Sequence, residues 1–246
     1  MLDYDKEADA YDALRGGEHR AEAAAHAVLG LVPEDARRLL DLACGTGIVT
    51  RRLAAARDGM RVTGVDRTHA MASRAAARLP GSVVIGDGRR LPFRDAEFDA
   101  VTSVWLLHLL GGPEDVRTVV GECARVLRPG GVFVTTVDKA AAHNVGSDID
   151  AVLAPRPRTP AVDTSAAVER YACAHGLRAA GEARFPGRGQ GRSPRRTVTD
   201  LRRGWFVTLP PGDPLADDFA ARLAALPDQD RPRPEPEFTL RAFRRT

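Results

Sequence analysis

The 246-residue chain is long enough for one globular domain with appended elements, and 43% of its residues are hydrophobic and 28% charged. No apolar run approaches the ~20 residues of a membrane-spanning helix, and residues 1–7 are too acidic for a secretory signal. The net charge is only +3 and the three cysteines are far apart. We therefore expect a cytoplasmic protein without a disulfide framework, a metal site or a membrane partner.

The first 36 residues are predicted to be helical. Residues 5–30 carry Ala, Leu and Tyr at helical spacing, which Gly16 and Gly17 interrupt, and this pattern predicts two helices. Tyr4 and Tyr11 are seven residues apart, so they share a face if the segment is helical. Packing on the core and contact with a ligand explain this pair equally well.

Between residues 37 and 137, short apolar runs alternate with segments of helical period. The runs predict strands at residues 39–43, 61–66, 82–87, 97–105 and 132–137. The intervening periodicity predicts helices at residues 48–56, 69–79 and 113–127. Thr68 is a candidate N-cap and Gly59 a candidate C-terminal cap. This alternation predicts a parallel sheet with helices on both faces.

Beyond residue 137 the periodicity is weaker. Residues 138–163 are polar and Pro-rich, which predicts a loop. The elements predicted after them are a helix at 164–175, a strand at 177–185, helices at 198–207 and 214–226, and a last strand at 238–243. Residues 138–163 and 187–236 are interpreted as insertions over the active face, where substrate-binding variety is usually placed.

Polar side chains occur at or near the ends of four predicted strands: Asp41, Asp66, Asp87 and Ser103. The carboxyl ends of parallel strands meet at one edge of a sheet, where ligands bind. Gly45 and Gly47 follow the first strand and open a helix, and a carboxylate at the end of the second strand can accept hydrogen bonds from ribose hydroxyls. The sequence therefore predicts a nucleotide-like ligand at this edge.

These motifs resemble those of the class I S-adenosylmethionine-dependent methyltransferases, in particular the small-molecule type. The matching segments are residues 40–47, 64–66, 86–88 with 91–93, 98–101 and 125–131. The resemblance implies an α/β, doubly wound, mostly parallel seven-stranded sheet whose last strand is antiparallel. It also implies a single domain over residues 1–246, with a helical lid at 1–36, a cofactor-binding core at 37–137, and last strands with cap insertions at 138–246.

The resemblance further implies S-adenosyl-L-methionine as cofactor and S-adenosyl-L-homocysteine as product. Asp41 would lie on the methionine side, Asp66 would accept from the ribose and Asp87 from the adenine amino group. Ala43 stands where many family members carry glycine. The implied cofactor-binding residues are Tyr11, Arg15, Asp41, Ala43, Cys44, Gly45, Gly47, Asp66, Arg67, Met71, Asp87, Gly88, Arg89, Ser103 and Val104.

The candidate catalytic residues are two histidines. His108 follows the fourth predicted strand and His143 lies in the loop after the fifth, and an imidazole with a pKa near ~6.5 suits proton transfer. The alternative for His108 is packing between Leu107 and Leu109. Trp105 either lines the substrate cavity or packs in the core.

Our leading hypothesis is methyl transfer to a nitrogen or oxygen atom of a small molecule, in specialised metabolism, by a monomer or homodimer. A second hypothesis is a protein of the same fold that binds the cofactor without methylating and acts as a rearrangement catalyst or regulator. An RNA methyltransferase is less favoured: the Arg-rich residues 184–203 suit nucleic acid, but no Asn/Asp-Pro-Pro-aromatic sequence follows the fourth strand. A nicotinamide oxidoreductase ranks last, because Thr50 stands where G-x-G-x-x-G needs its third glycine.

Overall fold

The computed structural model describes residues 4–8, 10–157, 159–204, 209 and 213–246. Its strands are β1 (Arg38–Leu42), β2 (Arg61–Asp66), β3 (Val83–Ile85), β4 (Phe98–Ser103), β5 (Leu127–Val137), β6 (Leu177–Pro186) and β7 (Glu237–Arg245). They form one sheet in the order β3-β2-β1-β4-β5-β7-β6. Only β7 runs antiparallel to its neighbours β5 and β6. The predicted mostly parallel, seven-stranded sheet with an antiparallel last strand is confirmed.

Helices cover both faces of the sheet. They are α1 (Tyr4–Glu7), α2 (Tyr11–Leu14), α3 (Gly17–Leu29), α4 (Ile48–Ala55), α5 (His69–Arg78), α6 (Pro113–Val126), α7 (Lys139–Ala142), α8 (Asp148–Leu153), α9 (Ser165–Ala174), α10 (Pro194–Arg202) and α11 (Pro214–Ala224). One apolar core lies under α3 and α4 and the other under α6 and α9. Leu39 belongs to the first core and Leu40 to the second, because successive strand residues point to opposite faces. Burial on both faces explains why apolar and polar residues do not alternate strictly along β1.

A third apolar cluster joins α8, α10 and α11. It includes Ile149, Leu201 and Phe219, and burying a side chain as large as Phe219 contributes about 1.5–3 kcal/mol. The prediction of a loop over residues 138–163 is therefore wrong in part, since α7 and α8 lie within it. Helix α8 has only six residues, too few to display a helical period, and Ser147 begins it with a capping box to Asp150.

The structure corrects several helix ends. Three N-terminal helices replace the predicted two. Thr68 precedes α5 but makes no side-chain cap bond; instead the Ala70 N–H donates to the carboxylate of Asp5, 3.0 Å away. Helix α4 ends with Ala56 as its cap residue, so Gly59 lies in the following turn. The predicted helical residues 205–207 are outside the described residues.

Among the described helices, none combines the length and the apolar character that a membrane crossing requires.

Candidate cofactor site

The carboxyl ends of β1, β2 and β3 lie side by side, as parallel pairing requires. In this register Asp41 is opposite Gly64 and Asp66 is opposite Ile85. A cavity of about 230 Å³ is present at this edge. Six of the predicted cofactor residues line it: Ala43, Asp66, Arg67, Asp87, Gly88 and Arg89. The structure therefore brings together residues from the ends of three strands that are distant in sequence.

The glycine loop after β1 uses backbone angles that favour glycine. The φ angles are +58° at Ala43, +57° at Gly45 and +77° at Gly47. A Cβ at Gly47 would lie 2.9 Å from both Cα and Cβ of Ala75 in α5, whereas a Cβ at Gly45 would have nothing within 4 Å. Gly47 therefore serves the packing of the loop on α5. Gly45 leaves open space beside the strand ends, which fits a bound cofactor.

Asp66 holds this loop in place. One carboxylate oxygen accepts the Gly45 N–H and the other accepts the Thr68 N–H, each at 2.8 Å. Burial raises the pKa of Asp66, although these two N–H groups act in the opposite direction. A carboxylate has about four acceptor positions, so Asp66 retains capacity for further donors such as ribose hydroxyls.

Asp41 is buried in β1, the strand beside β2, which ends at Asp66. Its carboxylate accepts a hydrogen bond of 2.6 Å from the hydroxyl of Thr50 in α4. Burial raises the pKa of Asp41 to about 7; the Thr50 bond lowers it and the charge of Asp66 raises it further. A buried carboxyl poised near neutral pH is a common feature of functional sites.

Arg89 and Asp87 both line the cavity. The Arg89 guanidinium bonds to Asp87 at 2.7 Å and reaches Asp115 in α6 at 3.3 Å. The Arg89 side chain is the main cause that lowers the pKa of Asp87. We predicted Asp87 and Arg89 from the motif but missed Asp115, whose only signal was its place in the first turn after Pro113.

The N-terminal helices dock on the glycine loop through Asp12. Its two carboxylate oxygens accept from Thr46 Oγ1 and from Arg78 Nη2, each at 2.7 Å. The rings of Tyr4 and Tyr11 lie 6.1 Å apart. Burial raises the pKa of Tyr4 to about 12, and the neighbouring Tyr11 and the charge of Asp66 contribute to the same increase. This segment therefore lies close to the strand ends, and Asp12 is a residue that sequence reasoning missed.

The end of β4 is shaped by a strained turn at Trp105. This residue has a φ of +62°, which costs about 1–3 kcal/mol in a non-glycine residue. Its N–H donates to Thr136 Oγ1 at 2.8 Å, and its ring packs edge-on against Phe185 and Phe238, both at 5.6 Å. The guanidinium carbon of Arg20 lies 4.0 Å from the centroid of the indole ring.

The two candidate catalytic histidines lie near this turn. Burial is the main cause that lowers the pKa of His108 and His143 well below 6.5, followed by the charge of Lys139. Both imidazoles are therefore neutral at pH 7. His108 Nδ1 is buried without a hydrogen-bond partner among the residues described, and the His143 ring lies 5.5 Å from that of Phe238.

Four other predicted cofactor residues pack inside the protein. Met71 and Val104 are buried core residues, and Ser103 Oγ is 2.9 Å from Thr135 Oγ1. The Cys44 thiol faces β2, where a Cβ on Gly64 would lie 2.9 Å from its sulfur. None of these four lines the 230 Å³ cavity.

Over the described ranges, no group of three or more His, Cys, Asp or Glu side chains is arranged to hold a metal ion.

Comparison with known proteins agrees with this geometry. Residues 40–135 match the family described as a methyltransferase domain. A demethylmenaquinone methyltransferase of Thermotoga maritima is 38% identical over 108 residues, 44% of each chain. A 27-O-demethylrifamycin SV methyltransferase of Amycolatopsis mediterranei is 41% identical over 101 residues, 38% of this chain and 36% of the relative. The matched segments thus span less than half of these two relatives.

The whole fold also has solved counterparts. The structure of the cyclase SpnF superimposes with a TM-score of 0.61 at 18% identity, covering 98% of this chain and 94% of SpnF. At this identity the likeness concerns the fold alone. The matched domain at residues 40–135, the named relatives and the sheet order agree with the class I S-adenosylmethionine-dependent methyltransferase family. S-adenosylmethionine is the cofactor that this family implies.

Proposed function

We propose that this protein transfers a methyl group from S-adenosyl-L-methionine to a nitrogen or oxygen atom of a small molecule, in specialised metabolism. The observation that carries the proposal is the row of carboxylates Asp41, Asp66 and Asp87 at neighbouring strand ends, beside a glycine loop with open space at Gly45. The cofactor supplies an activated methyl group on its sulfonium and leaves as S-adenosyl-L-homocysteine.

The chain's own residues would bind and orient this cofactor. The unused acceptor capacity of Asp66 suits the ribose hydroxyls, and Asp87 suits the adenine amino group. Tyr11 and Arg15 come from the segment that docks on the loop through Asp12. In this proposal residues 1–36 form a lid, residues 37–137 the cofactor core, and residues 138–246 complete the sheet and cap the acceptor.

His108 and His143 are the proposed acceptors of a proton from the incoming nucleophile. Their lowered pKa keeps both imidazoles neutral at pH 7, and a neutral imidazole can accept a proton. The buried Nδ1 of His108, which has no partner in the described part of the chain, favours His108.

A small-molecule acceptor is supported by the relatives. Each of the two matched methyltransferases is named after a small-molecule acceptor. The name of the Amycolatopsis mediterranei relative specifies an oxygen atom. A carbon acceptor is the competing outcome, which structural determination of the methylated product would reveal.

Titration calorimetry with S-adenosyl-L-methionine tests the cofactor. We expect binding by the wild type and a loss of at least about tenfold in Asp66→Asn, because one charge-assisted hydrogen bond contributes about 1.5–3 kcal/mol. Asp95→Asn is the matched control, since its exposed carboxylate pairs only with Arg125 among the described residues. Binding of NAD in place of S-adenosyl-L-methionine would refute the proposal.

Release of S-adenosyl-L-homocysteine across a panel of amines, phenols and carboxylic acids tests the transfer. We expect release with members of one acceptor class. Tight cofactor binding with no release across the panel would support the competing function, a protein of this fold that binds the cofactor without methylating. The cyclase SpnF has the same fold.

A further inference from the structure

Strand β6 forms one edge of the sheet, and that edge is open. β6 pairs with β7 on one side, and no strand among the described residues pairs with its other side. Residues 178–182 and Arg184 are exposed. An open edge presents unpaired N–H and C=O groups that can pair with a further strand. The strand at the opposite edge, β3, has only three residues and offers fewer such groups.

The backbone of β6 shows which groups point outward. The Gly187 N–H donates to the Pro236 carbonyl at 2.7 Å, on the side of β7. The hydrogen-bonding groups of successive residues alternate between the two sides of an antiparallel strand. The N–H and C=O groups of Ala183 therefore face β7, whereas those of Glu182 and Arg184 point away from the sheet.

Two features confine pairing at this edge to residues 181–185. At one end the register of β6 on β7 shifts between Ala179 and Gly181, and such a bulge bends the strand. At the other end Pro186 has no N–H to donate. A further strand therefore has one short stretch of regular backbone with which to pair.

Helix α3 leaves this edge accessible. A groove of about 700 Å³ lies between α3 and β6. Small residues line it from both elements, Ala23 and Ala27 from α3 and Ala183 from β6. The side chains of α3 thus leave room for a second strand beside β6.

The charges on β6 are self-complementary. Glu182 and Arg184 are two residues apart, so their side chains lie on the same face of the strand. If two copies pair antiparallel about a two-fold axis at Ala183, Glu182 of each copy lies opposite Arg184 of the other. Opposite charges directly across two strands are stabilising, whereas a register shifted by two residues places Glu182 opposite Glu182 or Arg184 opposite Arg184. The sequence of β6 therefore favours one register.

Both charges are available for this contact. Among the ion pairs of the described residues, none involves Glu182. Arg184 contacts Glu237 at 3.4 Å, and both of these side chains are largely exposed. A guanidinium group has five N–H donors, so Arg184 can keep this contact and also bind Glu182 of a second copy.

We propose that the partner of this edge is a second copy of the same chain, and that the two β6 strands pair antiparallel about Ala183. The N–H and C=O groups of Glu182 and Arg184 then bond between the copies, and the two sheets become continuous. The cofactor cavity lies at the ends of β1, β2 and β3, away from β6, so each copy keeps its own cavity. So short an interface implies a weak, reversible dimer. The inference is independent of the proposed methyl transfer.

Sedimentation equilibrium of the full chain, from about 5 to about 500 μM protein, measures the association. We expect a concentration-dependent dimer. Glu182→Arg or Arg184→Glu should weaken it at least about tenfold, because each variant places two like-charged pairs across the strands. The double variant Glu182→Arg/Arg184→Glu should recover the wild-type association, since it restores opposite charges. Arg117→Glu changes the net charge as much as Arg184→Glu does, at an exposed site on α6, and should associate like the wild type.

Cysteine cross-linking tests the register, in a Cys173→Ser background that removes the exposed thiol. The two copies of Ala183 would form a non-hydrogen-bonded pair with Cα atoms about 4.5 Å apart, which a disulfide can span. Oxidation should therefore join Ala183→Cys into covalent dimers and leave Ala179→Cys monomeric.

Four results would overturn the inference. The wild type could remain monomeric at about 500 μM, or a single charge variant could associate as strongly as the wild type. The double variant could associate no better than the single variants, or Ala179→Cys could cross-link as fast as Ala183→Cys. Failure to bind S-adenosyl-L-methionine would refute only the methyltransferase proposal.

Discussion

Replacing Gly47 by alanine should destabilise the protein by about 3 kcal/mol. The residue has a φ of +77°, and a left-handed conformation costs an L-residue about 1–2 kcal/mol. The new Cβ would also lie 2.9 Å from two atoms of Ala75, and such overpacking costs about 1–3 kcal/mol. The lower entropy of the unfolded alanine chain offsets about 0.4–1 kcal/mol of this sum.

Gly45→Ala provides the matched comparison. Its φ of +57° carries a similar backbone cost, but nothing lies within 4 Å of the new Cβ. After the offset from the unfolded chain, we expect a loss of about 1 kcal/mol or less. The difference between the two variants isolates the contact between the glycine loop and α5.

Urea unfolding followed by circular dichroism measures both free energies of unfolding. For a domain of this size, the Gly47→Ala loss corresponds to a fall of about 6–12 °C in Tm. Gly45→Ala should keep nearly the wild-type Tm yet bind S-adenosyl-L-methionine at least about tenfold more weakly, because its Cβ would enter the proposed cofactor space. A Gly47→Ala variant as stable as Gly45→Ala would refute the packing argument.

Three further predictions concern carboxylates that accept hydrogen bonds. The folded-state pKa of Asp41 lies above its unfolded value, so raising the pH should destabilise the wild type but not Asp41→Asn. We expect the free energy of unfolding of the wild type, measured by urea titration, to fall by about 2 kcal/mol relative to that of Asp41→Asn between about pH 5.5 and about pH 8. If the two free energies differ by the same amount at every pH, the raised pKa is contradicted. Asp12→Ala should bind S-adenosyl-L-methionine about tenfold more weakly, and a protease should cleave its N-terminal helices faster than those of the wild type. Thr46→Val should show a smaller increase in the cleavage rate. If Asp12→Ala is cleaved at the wild-type rate, Asp12 does not dock the N-terminal helices on the glycine loop. Asp99→Ala should lose about 2–4 kcal/mol of unfolding free energy, because Asp99 accepts hydrogen bonds from two backbone N–H groups and pairs with Arg128 at 2.9 Å. The affinity of this variant for the cofactor should match that of the wild type.

The positions of most strands followed from local patterns, although β5 begins at Leu127, five residues before the predicted start. The run Arg61–Asp66 was predicted with its exact observed ends, because β2 is bounded by turn residues and buried on both faces. The shared edge of Asp41, Asp66 and Asp87 then followed, since consecutive parallel strands must end on the same side of the sheet. Helix α8 was missed because six residues give no period.

The contacts that complete the site could not be predicted from local patterns. Asp12 and Arg78 are 66 residues apart, and nothing in the sequence near either residue identifies the other as its partner. Arg20 was not singled out by any sequence pattern, yet the structure buries it against Trp105. Such pairings depend on how α2, α3 and α5 pack on the sheet.

The sequence by itself determined the parallel strands and the carboxylates at their ends, because periodicity, glycines and strand-end carboxylates are local signals that one fold class combines. Only the tertiary structure decided which charges lie together. It placed Arg89 within 3.3 Å of Asp115, a residue 26 positions further along the chain, and both line the cavity at the strand ends. The physical reason is that electrostatic interaction depends on distance in space and on burial, and neither is encoded in the spacing of residues along the chain.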